Sequence, residues 1–201
     1  MATAIDTTQP RRRRVPASLV YETLNGRPLY YKGYREVLSQ KKSPEAIMGS
    51  SSLQAALVSL IHGYLFNSIN RKQYLLVTNE SGIHVDRGNN LANDIAIFEK
   101  AGLLLNDKYF QTPPKVAIEL DVRIDLEGFI SREQSYVYEK TERLLDFGVG
   151  RVIWITTQPR KILVATPNAD WITHNWDVTV PVLEDVTLNL AQLIEEEGLF
   201  Y

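Results

Sequence analysis

Residues 93–125, NDIAIFEKAGLLLNDKYFQTPPKVAIELDVRID, contain two strand-like apolar runs that are each interrupted by acidic residues. In the second run every other residue is apolar, and this period of two is typical of a β-strand. The apolar residues are Val116, Ile118, Leu120, Val122 and Ile124. Glu119 and Asp121 occupy the alternate positions, so the pattern predicts that their side chains share one face of the strand. Asp94 interrupts the first run in the same way.

A lysine occupies an apolar position in the next segment. In the predicted helix 133–147, Val137, Lys140, Leu144 and Phe147 recur at steps of three and four residues, which places the lysine on the apolar stripe. One interpretation is that its alkyl stem covers the core while the ammonium reaches water. The other is that the ammonium lies beside the carboxylates of the adjacent strands.

The acids and the lysine together suit a divalent cation. Ionised carboxylates on a partly buried face repel each other and lose hydration unless positive charge neutralises them. Mg²⁺ is typically held by one or two carboxylates plus waters and phosphate oxygens, so Asp94 and Glu119 would suffice as protein ligands. Lys140 could then orient or deprotonate a water, or balance charge on a phosphate. The alternative is that the acids line the solvent face of an edge strand.

The pattern alone does not determine the roles of two further acids, Asp121 and Glu22, either of which could support the metal ligands. Asp121 is either a solvated strand residue or a partner of the metal ligands. Glu22 lies in the first predicted hairpin, and its side chain could point either towards the core or towards solvent.

The remaining segments predict a mixed α/β (or α+β) domain with a central sheet. Asn25-Gly26 predicts a β-hairpin over 19–31, and an apolar stripe with serine caps predicts a helix after Pro44. The other predicted elements are strands within 73–86 and 90–100, a helix ended by Gly148, a strand at 151–155 that turns into another at 162–166, a strand around 176–182, and a short acidic helix within 188–198.

Composition restricts the classes of function. With 201 residues and 44% hydrophobic residues, the chain predicts one domain over residues 17–201. The absence of cysteine excludes disulfides and thiolate-bound metals, which favours hard cations. A net charge of −2 provides no global field that attracts nucleic acid. No run resembles a signal peptide or reaches the roughly 18 apolar residues of a membrane span, so we expect a cytoplasmic protein without membrane contact.

Two basic features stand apart from the acids. Residues 1–16 are polar and predict a disordered arm that is either a nucleic-acid-binding element or a solvated tail. This arm carries four consecutive arginines, Arg11, Arg12, Arg13 and Arg14. His62 falls off the apolar stripe of the first long helix, and we interpret it as an ordinary surface histidine because a general base or metal ligand normally needs partners nearby.

The order of these residues resembles the Uma-type restriction endonuclease family of the PD-(D/E)XK nuclease superfamily. The likeness rests on Asp94 after a short extended run, Glu119 within VAIELD, and Lys140 ahead of the dipeptide GV and the strand VIWI. The phrases VYETLNGRPLYYKGY, IMGSSSLQ and NLANDIAIF extend the likeness over residues 17–198. It implies a restriction-endonuclease-like core, in which helices flank a mixed central sheet that carries a divalent-metal site.

The resemblance also implies residue roles. Asp94 and Glu119 are expected to hold Mg²⁺ or Mn²⁺, and both are expected to act in catalysis with Lys140. The chain departs from the family pattern at three positions: Asn93 replaces the proline of the PD motif, Asp121 stands where the superfamily usually has its lysine, and Leu144 stands where many members have a tyrosine. The second departure agrees with a lysine that has moved to the helix.

The function that follows is a metal-dependent endonuclease that hydrolyses DNA. Cleavage of both strands commonly needs two active sites, so a homodimer is expected. The competing hypothesis is a catalytically inactive protein of the same fold that binds nucleic acid or serves as an interaction module. The sequence contains neither a zinc finger nor a helix-turn-helix motif, and it has no phosphate-binding glycine loop.

Overall fold

A mixed eight-stranded β-sheet organises residues 14–126 and 133–199, the parts of the chain that the computed structural model describes. Its strands are β1 (Val20–Leu24), β2 (Arg27–Tyr30), β3 (Tyr74–Asp86), β4 (Asn89–Glu99), β5 (Val116–Leu120), β6 (Arg151–Thr157), β7 (Arg160–Ala165) and β8 (Ile172–His174). They follow the order β2-β1-β4-β5-β6-β7-β8, and β3 pairs with the remaining edge of β4. Only β5 and β6 run parallel.

Helices cover both faces of this sheet, as the sequence predicts. They are α1 (Tyr34–Leu38), α2 (Glu45–Met48), α3 (Ser52–Ser68), α4 (Glu133–Phe147) and α5 (Leu190–Glu196), and a 3₁₀ turn spans Ala17–Leu19. One apolar cluster joins α3 and α5 to Ile118 and Ile153, whereas the other joins α4 to Ala117 and Trp154. Alternating residues of β5 and β6 therefore face opposite helices. A separate hairpin, β9 (Val180–Leu183) and β10 (Val186–Leu188), lies on the α3 side.

The two strongest local signals are confirmed. Asn25 and Gly26 have φ angles of 53° and 73°, the left-handed pair that closes a two-residue hairpin between β1 and β2. Gly148 has a φ of 111° and directly follows α4, so it ends the helix in a conformation that side chains rarely adopt. In the chain, α4 connects β5 to β6, and parallel strands require a crossover connection of this kind.

The strand predicted through Ile124 is shorter than its pattern. All five residues of β5 are buried, and the strand ends at Leu120. Asp121 follows with a φ of 54°, so the alternation stops there and the prediction that Glu119 and Asp121 share one strand face is wrong. The Asp121 carboxylate instead accepts hydrogen bonds from the Thr157 main-chain N–H at 2.7 Å and from the Thr157 hydroxyl at 2.8 Å.

Strand β4 changes partners halfway along one edge. Asn90 pairs with Thr23 of β1, whereas Ile95 to Ile97 pair with β5. The faces change too, because Leu91 packs in the α4-side cluster while Ile95 packs in the α3-side cluster. A regular strand would put residues 91 and 95 on the same face, so the alternation is interrupted around Asp94.

The prediction is less accurate for the short and terminal elements. The predicted strand around 176–182 is observed as Val180–Leu183, and α1, α2, β8 and β10 were not predicted. Of the basic arm, Arg11, Arg12 and Arg13 lie outside the described residues, and Arg14 is exposed. Within the described parts of the chain, no helix combines the length and apolar character that a membrane span requires.

The N-terminus of α3 provides a test of the fold. The Ser51 hydroxyl caps the helix by accepting a hydrogen bond from the Gln54 N–H at 3.1 Å. We expect Ser51→Ala to lower the free energy of unfolding in urea by about 1 kcal/mol, because the N–H loses its partner. The matched control is Ser52→Ala at the next, exposed position, which should change it by less than about 0.5 kcal/mol. Equal effects would contradict the cap.

Candidate active site

Three acids and one lysine converge from four elements of the fold. Glu22 lies on β1, Asp94 on β4, Glu119 on β5 and Lys140 on α4. Their exposed fractions are 3%, 6%, 2% and 0%, so none is a solvated surface residue. The interpretation that the lysine reaches water is therefore wrong, and so is the alternative that these acids line a solvent face.

The Lys140 ammonium is the centre of the group. Its Nζ lies 3.1 Å from Glu22 Oε2 and 3.1 Å from Glu119 Oε1, and it donates a hydrogen bond of 2.7 Å to the carbonyl oxygen of Ala92. The rings of Tyr136 and Trp154 lie 5.8 Å and 5.6 Å from Nζ. Three oxygens thus surround the ammonium, one as a hydrogen-bond acceptor and two as ion-pair partners.

The strand register explains how distant residues meet. Strands β4 and β5 are antiparallel, and their pairing ends with Ile95 opposite Ile118, so Asp94 and Glu119 are the residues that directly follow the last pair on each strand. On α4 the fully buried face contains Tyr136, Lys140 and Leu144, which recur at four-residue steps. The lysine position predicted from the stripe is thus confirmed, although Tyr136 rather than Val137 begins the buried face.

The side chain and the main chain of Asp94 each accept a hydrogen bond. Its Oδ2 accepts a hydrogen bond of 2.7 Å from the Leu120 N–H, and its carbonyl oxygen accepts one of 2.8 Å from the Thr78 hydroxyl. The same residue lines a cleft of about 390 Å³, which also contains His62 and Arg123. We call this space the Asp94 cleft. A ligand that enters the cleft therefore comes close to Asp94.

Glu22 is fully engaged within the protein. The Tyr136 hydroxyl donates to its Oε1 at 2.6 Å, the Ala92 N–H donates to its Oε2 at 3.2 Å, and Lys140 forms the ion pair. These contacts fix the Glu22 carboxylate, which in turn holds the Lys140 ammonium in place.

The site carries more negative than positive charge. Burial raises the pKa of Asp94, and this rise is opposed by the Leu120 N–H and by Lys140. Burial raises the pKa of Glu119 well above its ordinary value, again against the attraction of Lys140. Burial alone would lower the pKa of Lys140, but Glu119 and Glu22 together raise it above the ordinary value. The raised pKa values of Asp94 and Glu119 mean that burial favours their uncharged forms unless further positive charge lies nearby.

The donors at this position fit a hard divalent ion. No described residue donates a hydrogen bond to Glu119 Oε1, whose close neighbour is the Lys140 ammonium, and the buried Asn93 amide beside Asp94 has no hydrogen-bond partner. Buried polar atoms without a protein partner are commonly satisfied by a bound water or ion. Among residues 14–126 and 133–199, no cluster of three or more acids or histidines could hold an ion. The protein would therefore supply Asp94 and Glu119 and leave other positions to water and substrate.

Other candidate residues lie elsewhere or were missed. Asp121 contacts Thr157 and makes no contact with the acid–lysine group. His62 is half-buried in the Asp94 cleft, so it has charged neighbours that the sequence did not indicate. Tyr136 and Arg123 were not predicted from the sequence. The four-residue step to Lys140 was the signal for Tyr136, whereas nothing in the local pattern marked Arg123.

The fold is similar to that of a solved protein from Anabaena variabilis ATCC 29413, described as "a putative nuclease belonging to DUF820". The two share 14% sequence identity with a TM-score of 0.63, over 87% of this chain and 89% of the other. No protein-family model and no curated protein matches the sequence. At this identity the likeness concerns the fold alone, and it agrees with the predicted mixed sheet flanked by helices.

Removal of the ammonium should destabilise the protein strongly. Lys140→Met leaves Glu22 and Glu119 buried without their cation, and breaking one side of a buried ion pair costs about 3–5 kcal/mol. We expect a loss of this size in the free energy of unfolding at pH 8, measured by urea denaturation. The matched control is Lys115→Met, which removes an exposed ion pair with Glu99 and should cost less than about 1 kcal/mol.

The same variant should depend on pH in a defined direction. The folded-state pKa of Glu119 is raised, so its ionised form costs stability above that pKa, and the cost disappears as the pH falls through it. Lys140 opposes this rise, and its own raised pKa keeps it charged from pH 5 to pH 8. We therefore expect Lys140→Met to destabilise less at pH 5 than at pH 8. An effect that is equal at both values would contradict the assigned ion pair.

Proposed function

We propose that this protein is a Mg²⁺- or Mn²⁺-dependent endonuclease that hydrolyses DNA phosphodiester bonds. The observation that carries the proposal is the fully buried Lys140 ammonium, held between Glu119 and Glu22 next to the Asp94 carboxylate. A buried ionic group is often no more stable than an apolar replacement, so its presence calls for a role beyond stability. The shared fold with the Anabaena protein supports the same class of activity.

Each residue of the group has a distinct proposed role. Asp94 and Glu119 would hold the ion, which when bound would neutralise both carboxylates and polarise the phosphate. The Leu120 N–H orients the Asp94 carboxylate towards β5, and Lys140 orients that of Glu119. Glu22 and Tyr136 would keep the lysine in place while the substrate enters and leaves.

The protonation state of Lys140 narrows its role. Because Glu119 and Glu22 raise its pKa, the lysine is an ammonium at neutral pH and cannot accept a proton in the free protein. We therefore propose that it balances the negative charge that develops on the phosphate and positions the attacking water, and that it does not act as the general base.

Substitution of the acids tests the proposal. We expect Asp94→Asn and Glu119→Gln each to weaken Mn²⁺ binding at least about tenfold in isothermal titration, because each removes one charged ligand. Cleavage of supercoiled and linear DNA should fall on the order of 100-fold or more in both variants. Asp146→Asn, which changes an exposed acid on α4, is the matched control and should change neither quantity.

Retained cleavage by purified Glu119→Gln protein would refute the assignment. The competing function, nucleic-acid binding without catalysis, is favoured by the complete burial of Lys140, whose ammonium is surrounded by the Ala92 carbonyl oxygen and by the carboxylates of Glu22 and Glu119. DNA binding that weakens steeply with salt, with no Mg²⁺-dependent product, would support that alternative.

Cleavage of both strands commonly needs two active sites, so we propose that two copies of the chain act together. Sedimentation of the protein with bound duplex DNA measures the number of copies.

A further inference from the structure

Arg123 lies where two clefts meet. It lines the Asp94 cleft of about 390 Å³ and also a neighbouring cleft of about 710 Å³. The charged residues of the second cleft are four basic and two acidic side chains: Lys32, Arg35, Lys42, Arg123, Glu36 and Asp125. We call this second space the basic cleft. An anionic chain that crosses the basic cleft towards Asp94 would pass the Arg123 guanidinium.

The contacts of Arg123 divide into a fixed side and an exchangeable side. On the fixed side, Nη2 donates to the Met48 carbonyl oxygen at 2.7 Å, and the rings of Tyr21 and Tyr31 lie 5.8 Å and 6.0 Å from the guanidinium carbon. On the other side, Nη1 forms an ion pair with Glu80 Oε1. The first set of contacts can hold the guanidinium in place when the carboxylate leaves.

Glu80 is the more exposed partner of the ion pair. Its side chain is 30% exposed, compared with 11% for Arg123, so a displaced carboxylate reaches water directly. It occupies a bulge of β3 that interrupts the pairing with β4 between Thr78 and Ser81. Asn79 and Glu80 have φ angles of 71° and 53°, two successive left-handed residues that are not glycine. Strain of this kind concentrates at functional sites.

We propose that Arg123 binds a backbone phosphate of the substrate and that Glu80 holds the guanidinium until this phosphate arrives. A backbone phosphodiester has two non-bridging oxygens that share one negative charge, as a carboxylate has, so it can replace Glu80 on the same N–H groups. Glu80 and Asp94 line the same cleft, and an entering phosphate repels both carboxylates. Displacement of Glu80 relieves one of these repulsions.

This inference rests on the proposed nuclease function and adds a substrate-binding residue to it. The basic cleft then gives a path for the DNA strand, because Lys32, Arg35 and Lys42 line this cleft, Asp94 lines the other, and Arg123 lines both. Two of these cations are paired on the surface, Lys42 with Glu36 at 2.8 Å and Arg35 with Asp125 at 3.6 Å. Such exposed pairs are weak, and phosphates can compete for them.

Binding of fluorescein-labelled DNA, followed by anisotropy, tests the proposal. The measurement uses the Glu119→Gln background with Mg²⁺, so that the DNA stays intact. We expect Arg123→Gln to weaken binding about tenfold or more, and to lower the slope of log K against log salt by about 0.7–0.9, which corresponds to one phosphate contact. Arg123→Lys should restore the salt slope but only part of the affinity, because an ammonium lacks the planar fork.

Glu80→Gln distinguishes substrate binding from a structural ion pair. We expect it to tighten DNA binding, since the phosphate no longer competes with a carboxylate. Weaker binding by both Arg123→Gln and Glu80→Gln would mean that the pair only maintains the fold, and would overturn the inference. Arg71→Gln, an exposed arginine that lines neither cleft, is the control and should leave binding unchanged.

The wild-type protein separates this inference from the proposed function. If wild type cleaves DNA with Mg²⁺ while Arg123→Gln binds DNA with unchanged affinity and salt slope, only the role of Arg123 is refuted. If wild type neither binds nor cleaves DNA, the nuclease function fails, and the role of Arg123 fails with it.

Discussion

The buried ammonium of Lys140 is the interaction on which the rest of the site depends. It joins α4 to β1 through Glu22, to β5 through Glu119 and to β4 through the Ala92 carbonyl oxygen. These partners lie far from it in the sequence, as the separation of 48 residues from Ala92 illustrates. Desolvation of such charges is expensive, and the attraction between them offsets the cost only if every donor and acceptor is matched. One nitrogen atom therefore sets the geometry of two of the acids, Glu22 and Glu119, while Asp94 is held by the Leu120 N–H.

The carboxylates around this nitrogen are not equally compensated. Glu22 is satisfied by Tyr136 and the Ala92 N–H, but Asp94 and Glu119 have raised pKa values because burial removes water that no cation fully replaces. A site that served stability alone would pair each acid or replace it with an apolar residue. The divalent ion that we propose would supply the missing positive charge beside the Asp94 cleft and allow a phosphate to approach.

Local patterns predicted the elements of this site better than their contacts. The Asn25-Gly26 turn, the long helix α3 and the inward position of Lys140 depend on neighbours within a few residues, and each is confirmed. The strand through Asp121 failed because the pattern cannot show a φ of 54°, which ends the alternation despite suitable side chains. The orientation of the Glu22 side chain could not be predicted, because it is fixed by Tyr136, which lies 114 residues away. Arg123 and His62 were missed for the same reason, since the cleft that brings them to Asp94 is formed by separate elements.

The change of partner along β4 explains why the site forms at this point of the sheet. Between Asn90, which pairs with β1, and Ile95, which pairs with β5, one edge of β4 has no strand beside it. Buried backbone groups must still find partners. The Ala92 N–H donates to Glu22 and the Ala92 carbonyl accepts from Lys140, while the Asp94 carboxylate accepts from the Leu120 N–H at the end of the same gap. The charged side chains thus replace a missing strand, so the same hydrogen bonds that complete the sheet also hold the acids and the lysine in position.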